Sequence, residues 1–377
     1  MPPAPVRGAL QGLRILDLSR VLSGPYCTQI LADHGADVLK VEPPSGDETR
    51  TWGPPFVDDV ASYFQGVNRN KRGTCLDLSQ ADGRERVLEL LAQADVLVEN
   101  FKAGTMARWG LGYEDIAARF PALIYCSISG FGSGGPLGGL PGYDAAVQAM
   151  SGIMSVNGDP AGAATRVGIP IVDMVTGLNA TIGILMALQE RERSGRGQRV
   201  ELSLFDCALS VLHPHTANFL ASGKVPQRTG NAHPNISPYD TVPTRTTPIF
   251  LAVGNDRQFQ RLCEVLGMPE LAQRPEFLSN RDRCVNRVAL TAQLTALMAD
   301  HDGQALAGRL MQEGVPCSGV FDVAMALNHP HTLHRRMRVR IGEYQGIASP
   351  IHLQCTPATY RQQPPRLGEH QPAFKFS

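Results

Sequence analysis

The sequence has no excess of charge of either sign, since 35 lysines and arginines balance 35 aspartates and glutamates. This balance disfavours proteins that bind nucleic acid or a membrane surface through bulk charge. The sequence also lacks the GxxxxGK[ST] motif of nucleotide-binding loops and the GxSxG motif of serine hydrolases. We find no apolar run of transmembrane length, and the start MPPAPVRG lacks the order of a signal peptide, so we expect a cytoplasmic protein.

Cysteines at metal-binding spacing are missing as well. The eight cysteines show no CxxC spacing and most lie in apolar runs, which indicates buried, reduced thiols rather than disulfides or zinc ligands. Two HPH triplets, at 213–215 and 329–331, have no acidic or cysteine partner at ligand spacing. We therefore expect no metal site.

Short apolar runs alternate with helix-like patterns over the first half of the 377 residues. This order is typical of a parallel, doubly wound sheet. We therefore predict an α/β protein with a Rossmann-like open parallel sheet domain and a smaller α+β domain. The predicted strands are 13–18, 36–42, 74–78, 95–100 and 122–129, and the predicted helices end at Gly35 or cover 82–93, 113–119 and 171–193.

The composition changes beyond Gly223, where a turn-rich segment precedes amphipathic helical patterns. We predict a large domain whose first part is 1–200, a small α+β domain at 222–318, and a C-terminal segment, 319–377, that returns to the large domain. Short strands are expected in this last part of the chain at 315–321 and 348–354.

A glycine-rich stretch, GFGSGGPLGGLPG at 130–142, follows an apolar run and predicts an exposed loop. Its first glycines match GxGxxG, but the loop continues where a dinucleotide site needs a helix, which disfavours a dehydrogenase. Asp144 stands where the loop meets a helical pattern, so it is either a helix cap or a nucleophile toward an activated carbonyl. Asp173, in the long apolar helix, is either a hydrogen-bonded core residue or part of the same pocket.

Three cations are concentrated in Asn68–Arg72, just before a predicted strand. Arg69, Lys71 and Arg72 form either a solvated charged turn or a grip on phosphate groups. Arg108 follows a strand end and faces the same edge of the sheet. Together these residues could hold a diphosphate-bearing ligand.

The sequence resembles the class III CoA-transferase family, which also contains α-methylacyl-CoA racemase. The resemblance covers nearly the whole chain. It is carried by LQGLRILDLSRVLSGPYCTQILADHGADVLKVEPP, NRNKR, DVLVENFKAG, LIYCSISGFG, GYDA, SGRGQRVELSLFD and the late LGEH at 367–370. It implies a homodimer of interlocked subunits that binds no cofactor permanently and uses a coenzyme A thioester as substrate.

The resemblance also implies roles for individual residues. The family's catalytic aspartate falls on Asp144, which would attack the thioester to give a mixed anhydride and then an aspartyl-CoA thioester. The racemase branch has a histidine before that aspartate and a second acid aligned with Asp173. Tyr143 stands at the histidine position here, which favours transfer over racemisation. The implied CoA pocket consists of Val21, Leu22, the turn Val67–Arg72, Asn100 and Arg108.

Within the family, DETRTWGPPFV, GLGYEDI and GNAHPNISPY most resemble succinate/hydroxymethylglutarate-type transferases, which move CoA from succinyl-CoA to acids such as itaconate, malate or glutarate. The far carboxylate needs a cation, for which Arg166 and His233 are candidates. A formyl-CoA:oxalate-type transferase is disfavoured by Leu22, by Pro43 and by the lack of a glycine run at 230–239. A racemase and a catalytically silent CoA-binding protein are the remaining alternatives.

Overall fold

The structure is a computed structural model that describes residues 7–370 and residue 376. The chain divides into two compact units. The sheet unit contains the described residues of 7–151, 167–211 and 330–376, and the small unit contains 152–166 and 212–329. The predicted domain boundaries stay a prediction. The segment 152–166, expected in the large domain, groups with the small unit, and the chain returns to the sheet unit at Pro330.

The strands, in chain order, are β1 (Arg14–Asp17), β2 (Asp37–Glu42), β3 (Phe56–Val57), β4 (Val60–Ala61), β5 (Lys71–Cys75), β6 (Val96–Glu99), β7 (Ile124–Ser129), β8 (Arg199–Ser203), β9 (Tyr239–Val242), β10 (Ile249–Ala252), β11 (Cys317–Gly319), β12 (Arg338–Ile341) and β13 (Tyr344–Ile347). The helices are α1 (Ser23–Asp33), α2 (Ser62–Gln65), α3 (Ala81–Leu91), α4 (Thr105–Arg108), α5 (Tyr113–Ile116), α6 (Asp144–Met150), α7 (Ile153–Val156), α8 (Ile171–Ser194), α9 (Leu204–Ser210), α10 (His215–Ser222), α11 (Asp256–Val265), α12 (Asn280–Val285), α13 (Arg287–Met298), α14 (Gly303–Gln312), α15 (Val323–Asn328) and α16 (Pro330–His334). Short 3₁₀ turns cover Glu48–Thr51, Pro269–Gln273 and Pro275–Phe277.

The sheet unit is built on six parallel strands in the order β5-β2-β1-β6-β7-β8. The chain first moves outward from β1 to β2 and β5, and then crosses back to β6 and continues the other way. The sheet therefore has a topological switch point between β1 and β6, where ligands of open α/β folds bind outside the carboxyl ends of the strands. The prediction of a mixed α/β fold with a parallel sheet is confirmed.

The central strands are apolar because both faces of the sheet are covered. Leu16, Leu39 and Leu97 are fully buried in one cluster on β1, β2 and β6. The small unit has its own core around the antiparallel sheet β11-β10-β9, where Leu251 packs with Phe259 and other side chains of the flanking helices. Each unit therefore buries a separate hydrophobic cluster.

Two strand predictions were wrong. The third parallel strand begins at Lys71 rather than at residue 74, because the charged residues at its start are buried and paired rather than solvated. The segment 348–354 forms no strand. Its Ser349 N–H donates to the Tyr360 hydroxyl (2.8 Å), and Pro350 has no N–H for a ladder. The hairpin β12–β13 precedes it instead.

Helix α8 corrects the expectation that no apolar run reaches transmembrane length. By length and composition it is the one helix among the described residues that could cross a membrane. It packs against α1, α9, β7 and β8 in the sheet unit. The cytoplasmic location stays a prediction.

Candidate active site

A cavity of about 110 Å³ lies at the switch point of the parallel sheet. Its wall is formed by the turn after β1, by Asn100 after β6, and by the end of β7 with the base of the glycine-rich loop. All of its lining residues belong to the sheet unit: Arg20, Val21, Leu22, Ser23, Glu48, Asn100, Ile128, Ser129, Gly130, Gly142, Tyr143, Asp173 and Leu204. The cavity thus brings together the predicted residues Val21, Leu22, Asn100, Tyr143 and Asp173.

Asp173 supplies a carboxylate to this cavity from the first turn of α8. It comes close to α1 because Gly177, one turn later, packs against the Ser23 carbonyl, and a Cβ there would lie only 2.6 Å from that oxygen. The Ser23 hydroxyl donates a hydrogen bond to Oδ1 of Asp173. Among the described residues we find no hydrogen-bond donor to Oδ2. One carboxylate oxygen is therefore held and the other is open.

The pKa of Asp173 is raised to about 6. Burial is the main cause, the negative charge of Asp144 adds to it, and the hydrogen bond from Ser23 opposes it. At neutral pH the group is still mostly ionised. It is a stronger nucleophile than a fully solvated aspartate, because a more basic carboxylate donates its electrons more readily.

Asp144 lies beside Asp173, but its carboxylate is enclosed. Oδ1 accepts the backbone N–H groups of Val172 (2.8 Å) and Asp173 (3.2 Å), and Oδ2 accepts Nε2 of Gln148 (2.6 Å). The Gln148 amide is oriented by its Oε1, which accepts the N–H of Val167 (2.8 Å). Asp144 is not among the residues that line the cavity, and the residue is only 7% exposed.

Asp144 caps a different helix from the one that it begins. It is the first residue of α6, whose N-cap position is occupied by Tyr143. Its side chain instead caps α8, whose own N-cap residue is Pro170 and makes no side-chain bond. The free N–H groups and the dipole of a long helix favour a negative charge at this place.

The turn after β1 is held by hydrogen bonds on both sides. The Asn100 side-chain amide accepts the N–H of Arg20 (2.8 Å) and donates to the Arg20 carbonyl (2.7 Å). Val21 has φ of 66°, which is strained for a β-branched residue. Its N–H points to the Asp47 carboxylate at 3.3 Å. Such strain is stored where the surroundings fix the backbone, and it is common at functional sites.

The glycine-rich loop closes on itself beside the cavity. The Gly130 and Gly142 backbones touch so closely that a Cβ on Gly130 would lie 2.8 Å from Cα of Gly142. Farther out, Ser133 donates through its hydroxyl (2.8 Å) and its N–H (3.2 Å) to Glu201 on β8. Tyr143 follows the loop, is 56% exposed and lines the cavity.

The cations predicted to grip phosphate are largely enclosed in the described conformation. Lys71 is 1% exposed and donates to Asp17, Asn68 and the Pro25 carbonyl at 2.8–3.1 Å. Arg69 is 3% exposed and pairs with Asp33 at 2.6 Å. Arg69 and Lys71 are therefore not part of a solvated turn. The charges of Arg69 and Lys71 are both placed in ion pairs. The role of these residues in CoA binding stays a prediction.

The remaining predicted residues lie in three places. Arg72 pairs with Asp37 at 2.6 Å, away from the cavity, and Val67 is buried. Arg108 is exposed on α4 and donates to Thr105 (3.0 Å). Arg166 and His233 belong to the small unit, and their roles also stay predictions.

Sequence reasoning missed several residues at or near the site, among them Arg20, Ser23, Tyr63 and Gln148. Arg20 and Ser23 flank the predicted Val21 and Leu22, so the position of the turn after the first strand could have indicated them. The pKa of Tyr63 is raised to about 12, mainly by burial and then by the charges of Asp173 and Asp144, which places it near the two carboxylates. No sequence signal identifies Tyr63 or Gln148.

A larger cavity of about 300 Å³ lies elsewhere, over β6, β7 and β8. Burial raises the pKa of Glu99, on its floor, to about 7. Arg199 and Glu201 on its wall form an ion pair of 3.2 Å. Neither Asp144 nor Asp173 reaches it, so we take the smaller, switch-point cavity as the candidate active site. Among the described residues we find no group of three or more metal-ligating side chains.

Known proteins resemble the chain over nearly its whole length. The sequence model described as CoA-transferase family III matches residues 10–371. The chain is 40% identical to a succinate–glutarate CoA-transferase of Agrobacterium fabrum, covering 96% of this chain and 94% of the relative. It is 42% identical to an acetyl-CoA:oxalate CoA-transferase of Acetobacter aceti, covering 93% and 90%. A crystal structure of a CaiB/BaiF family protein from Brucella suis superposes with a TM-score of 0.86, at 42% identity over 97% of both chains.

Proposed function

The chain belongs to CoA-transferase family III, and from this premise we propose that it moves CoA from succinyl-CoA to a small dicarboxylic acid such as glutarate, itaconate or malate. The names of the two relatives, a succinate–glutarate and an acetyl-CoA:oxalate transferase, support an acceptor with two carboxylates. The expected homodimer stays a prediction. Oxalate, the shortest dicarboxylic acid, remains an alternative acceptor that the experiment below includes.

One observation carries the assignment of the nucleophile. Asp173 presents an open carboxylate oxygen to the switch-point cavity, whereas both oxygens of Asp144 are occupied by N–H donors. We therefore propose Asp173 as the attacking group and Asp144 as the residue that positions the start of α8. This differs from the prediction that Asp144 attacks.

The proposed reaction is an exchange of thioesters through the enzyme. An oxygen of Asp173 attacks the donor thioester carbonyl, the C–S bond breaks, and the CoA thiolate leaves a mixed anhydride behind. The thiolate then attacks the Asp173 carbonyl and releases the donor acid, which gives an aspartyl-CoA thioester. The acceptor carboxylate repeats these steps in reverse order. Bonds and charges balance without ATP, in agreement with the missing nucleotide-binding motif.

The surroundings of Asp173 suit this chemistry. Its backbone lies at the N-terminus of a 24-residue helix, where partial positive charge favours the oxyanions that form during acyl transfer. Gly130 and Gly142, at the base of the glycine-rich loop, line the same cavity with backbone atoms. None of the described cavity residues is a histidine, which supports transfer over α-proton exchange.

The proposal is tested by incubating the protein with succinyl-CoA and a panel of acids, including glutarate, itaconate, malate and oxalate, and identifying the products by mass. We expect a new acyl-CoA species for at least one dicarboxylic acid. A parallel incubation of a 2-methylacyl-CoA in D₂O measures racemase activity. Deuterium uptake at Cα without any new acyl-CoA would overturn the proposal in favour of the racemase.

A further inference from the structure

Arg20 carries a charge that the described part of the protein does not balance. No carboxylate oxygen of residues 7–370 lies within 4.0 Å of its guanidinium, although Glu48 lines the same cavity. Its Nε is buried and has no hydrogen-bond partner. A buried donor without an acceptor costs about 1–3 kcal/mol, so a site that keeps one is usually completed by another group.

The position of this guanidinium is well defined. Its central carbon lies 5.2 Å from the centre of the Phe101 ring, so the flat face of Arg20 rests on an aromatic side chain. Asn100 holds the N–H and the carbonyl of the same residue. Lys40, in turn, donates to the carbonyl of Ser19 (2.8 Å). The backbone and the ring thus fix Arg20 while its N–H groups stay available.

Arg20 shares the switch-point cavity with Asp173. The cavity has about 110 Å³, the volume of roughly four waters at ~30 Å³ each, which suits a short acyl chain but not the coenzyme. An acid whose one carboxylate reacts at Asp173 could place a second carboxylate on Arg20, the one cation among the described residues that line the cavity. A guanidinium binds a carboxylate through two parallel hydrogen bonds.

We propose that Arg20 binds the distal carboxylate of the acyl group and so selects dicarboxylic acids. This inference rests on the proposed function, since it assumes acyl transfer at Asp173. It replaces Arg166 and His233, the cations expected from the sequence, by a residue in the same cavity as the nucleophile.

The test compares acceptors of equal length with one or two carboxylates. Glutarate and pentanoate are each used as acceptor with succinyl-CoA, and kcat/KM is measured for the wild type and for Arg20→Met. In a double-displacement reaction, kcat/KM for the acceptor depends only on the reaction of the acceptor with the aspartyl-CoA enzyme. An effect of the substitution on the reaction with succinyl-CoA therefore does not change it. We expect the value for glutarate to fall about 10- to 100-fold and that for pentanoate to stay within about threefold.

Two further variants control the comparison. Arg20→Lys keeps the charge but loses the paired donors, so it should restore part of the preference for glutarate. Arg119→Met removes another arginine that lies over a ring, at 5.4 Å from Phe120, outside the cavity. It should leave the glutarate-to-pentanoate ratio unchanged.

The outcomes separate the two proposals. An equal loss for both acids, or an unchanged ratio, would overturn the role of Arg20 and indicate a contact with CoA or with the turn. If the wild type transfers CoA to no acid, the proposed function fails. Calorimetric titration with glutarate then still tests Arg20. Glutarate binding that is lost in Arg20→Met supports the carboxylate site. Glutarate binding that is unchanged in Arg20→Met contradicts it.

Discussion

Two sets of cations in the sheet unit differ in how their charge is balanced. Lys40, Arg69 and Lys71 are buried and each pairs with an aspartate at 2.6–3.1 Å. Arg20 is half-buried, has no such partner among the described residues, and faces the cavity. The first set stabilises the scaffold, whereas the second is free to bind a ligand.

The two aspartates near the cavity differ in the same way. Asp144 receives three N–H donors and connects α6 to α8, while Asp173 keeps one oxygen open toward the cavity. In both comparisons, the group that has an atom without a hydrogen-bond or ion-pair partner among the described residues is the one that we propose contacts the substrate. Residue type alone does not distinguish the two groups, but the hydrogen bonds do.

The largest expected effect is that of Asp173→Asn. The amide cannot form the anhydride, so transfer should fall by at least about 1,000-fold, or about 4 kcal/mol in activation free energy. The measurement is the rate of glutaryl-CoA formation from succinyl-CoA. Asp144→Asn is the matched control and should lose far less, because the remaining oxygen still accepts the N–H groups of α8. The reverse order of the two variants would contradict the comparison.

The next effect concerns stability. Lys71→Met leaves Asp17 buried without its main counter-charge, and breaking a buried pair on one side costs about 3–5 kcal/mol. Burial alone would raise the pKa of Asp17, but Lys71 and Lys40 together lower it. We expect a clear decrease in the denaturant midpoint. Arg20→Met breaks no ion pair among the described residues, so it should not lower the midpoint, and a similar loss in both variants would remove the distinction between the two sets of cations.

The pH dependence gives a smaller effect. Because the pKa of Asp173 is about 6 and the ionised form attacks, kcat/KM for the donor should be constant above pH 7 and fall below pH 6. At pH 5, one unit below the pKa, about a tenth of the groups are ionised, so the value should be about tenfold lower. A profile that stays flat down to pH 4 would show that another group governs the rate.

The smallest effect is a shift of that profile in Asp144→Asn. The charge of Asp144 contributes to the raised pKa of Asp173, and its removal should therefore move the acid limb to lower pH. The neutral asparagine keeps an oxygen for the backbone of α8, so the fold is preserved. A limb that moves upward instead would mean that Asp144 does not act on Asp173 through its charge.

Much of the architecture could be predicted from the sequence, because strand and helix periodicities are local. The alternation of elements indicated the parallel sheet. The family resemblance implied Val21 and Leu22 as part of a CoA pocket; both line the switch-point cavity, and their role in CoA binding stays a prediction. The start of β5 was missed because Lys71 becomes buried only through Asp17, which lies 54 residues away. Such long-range pairing leaves no local pattern.

The site shows the same limit. The position of Asp144 beside a helix start was visible in the sequence, but the helix that it caps begins 27 residues later, at Ile171. Arg20 could have been noticed as a charged residue in a ligand-binding turn. That it lacks a partner is a property of the folded chain, since every described carboxylate had to be placed before the absence could be seen.

The most direct test of the account locates the covalent intermediate. The enzyme is mixed with succinyl-CoA without acceptor, quenched in acid and digested with trypsin, which cuts after Arg119, Arg166 and Arg191 and so separates the two aspartates. We predict a CoA adduct on the peptide 167–191, which contains Asp173. An adduct on the peptide 120–166, which contains Asp144, would contradict the central claim that the carboxylate with an open oxygen is the nucleophile.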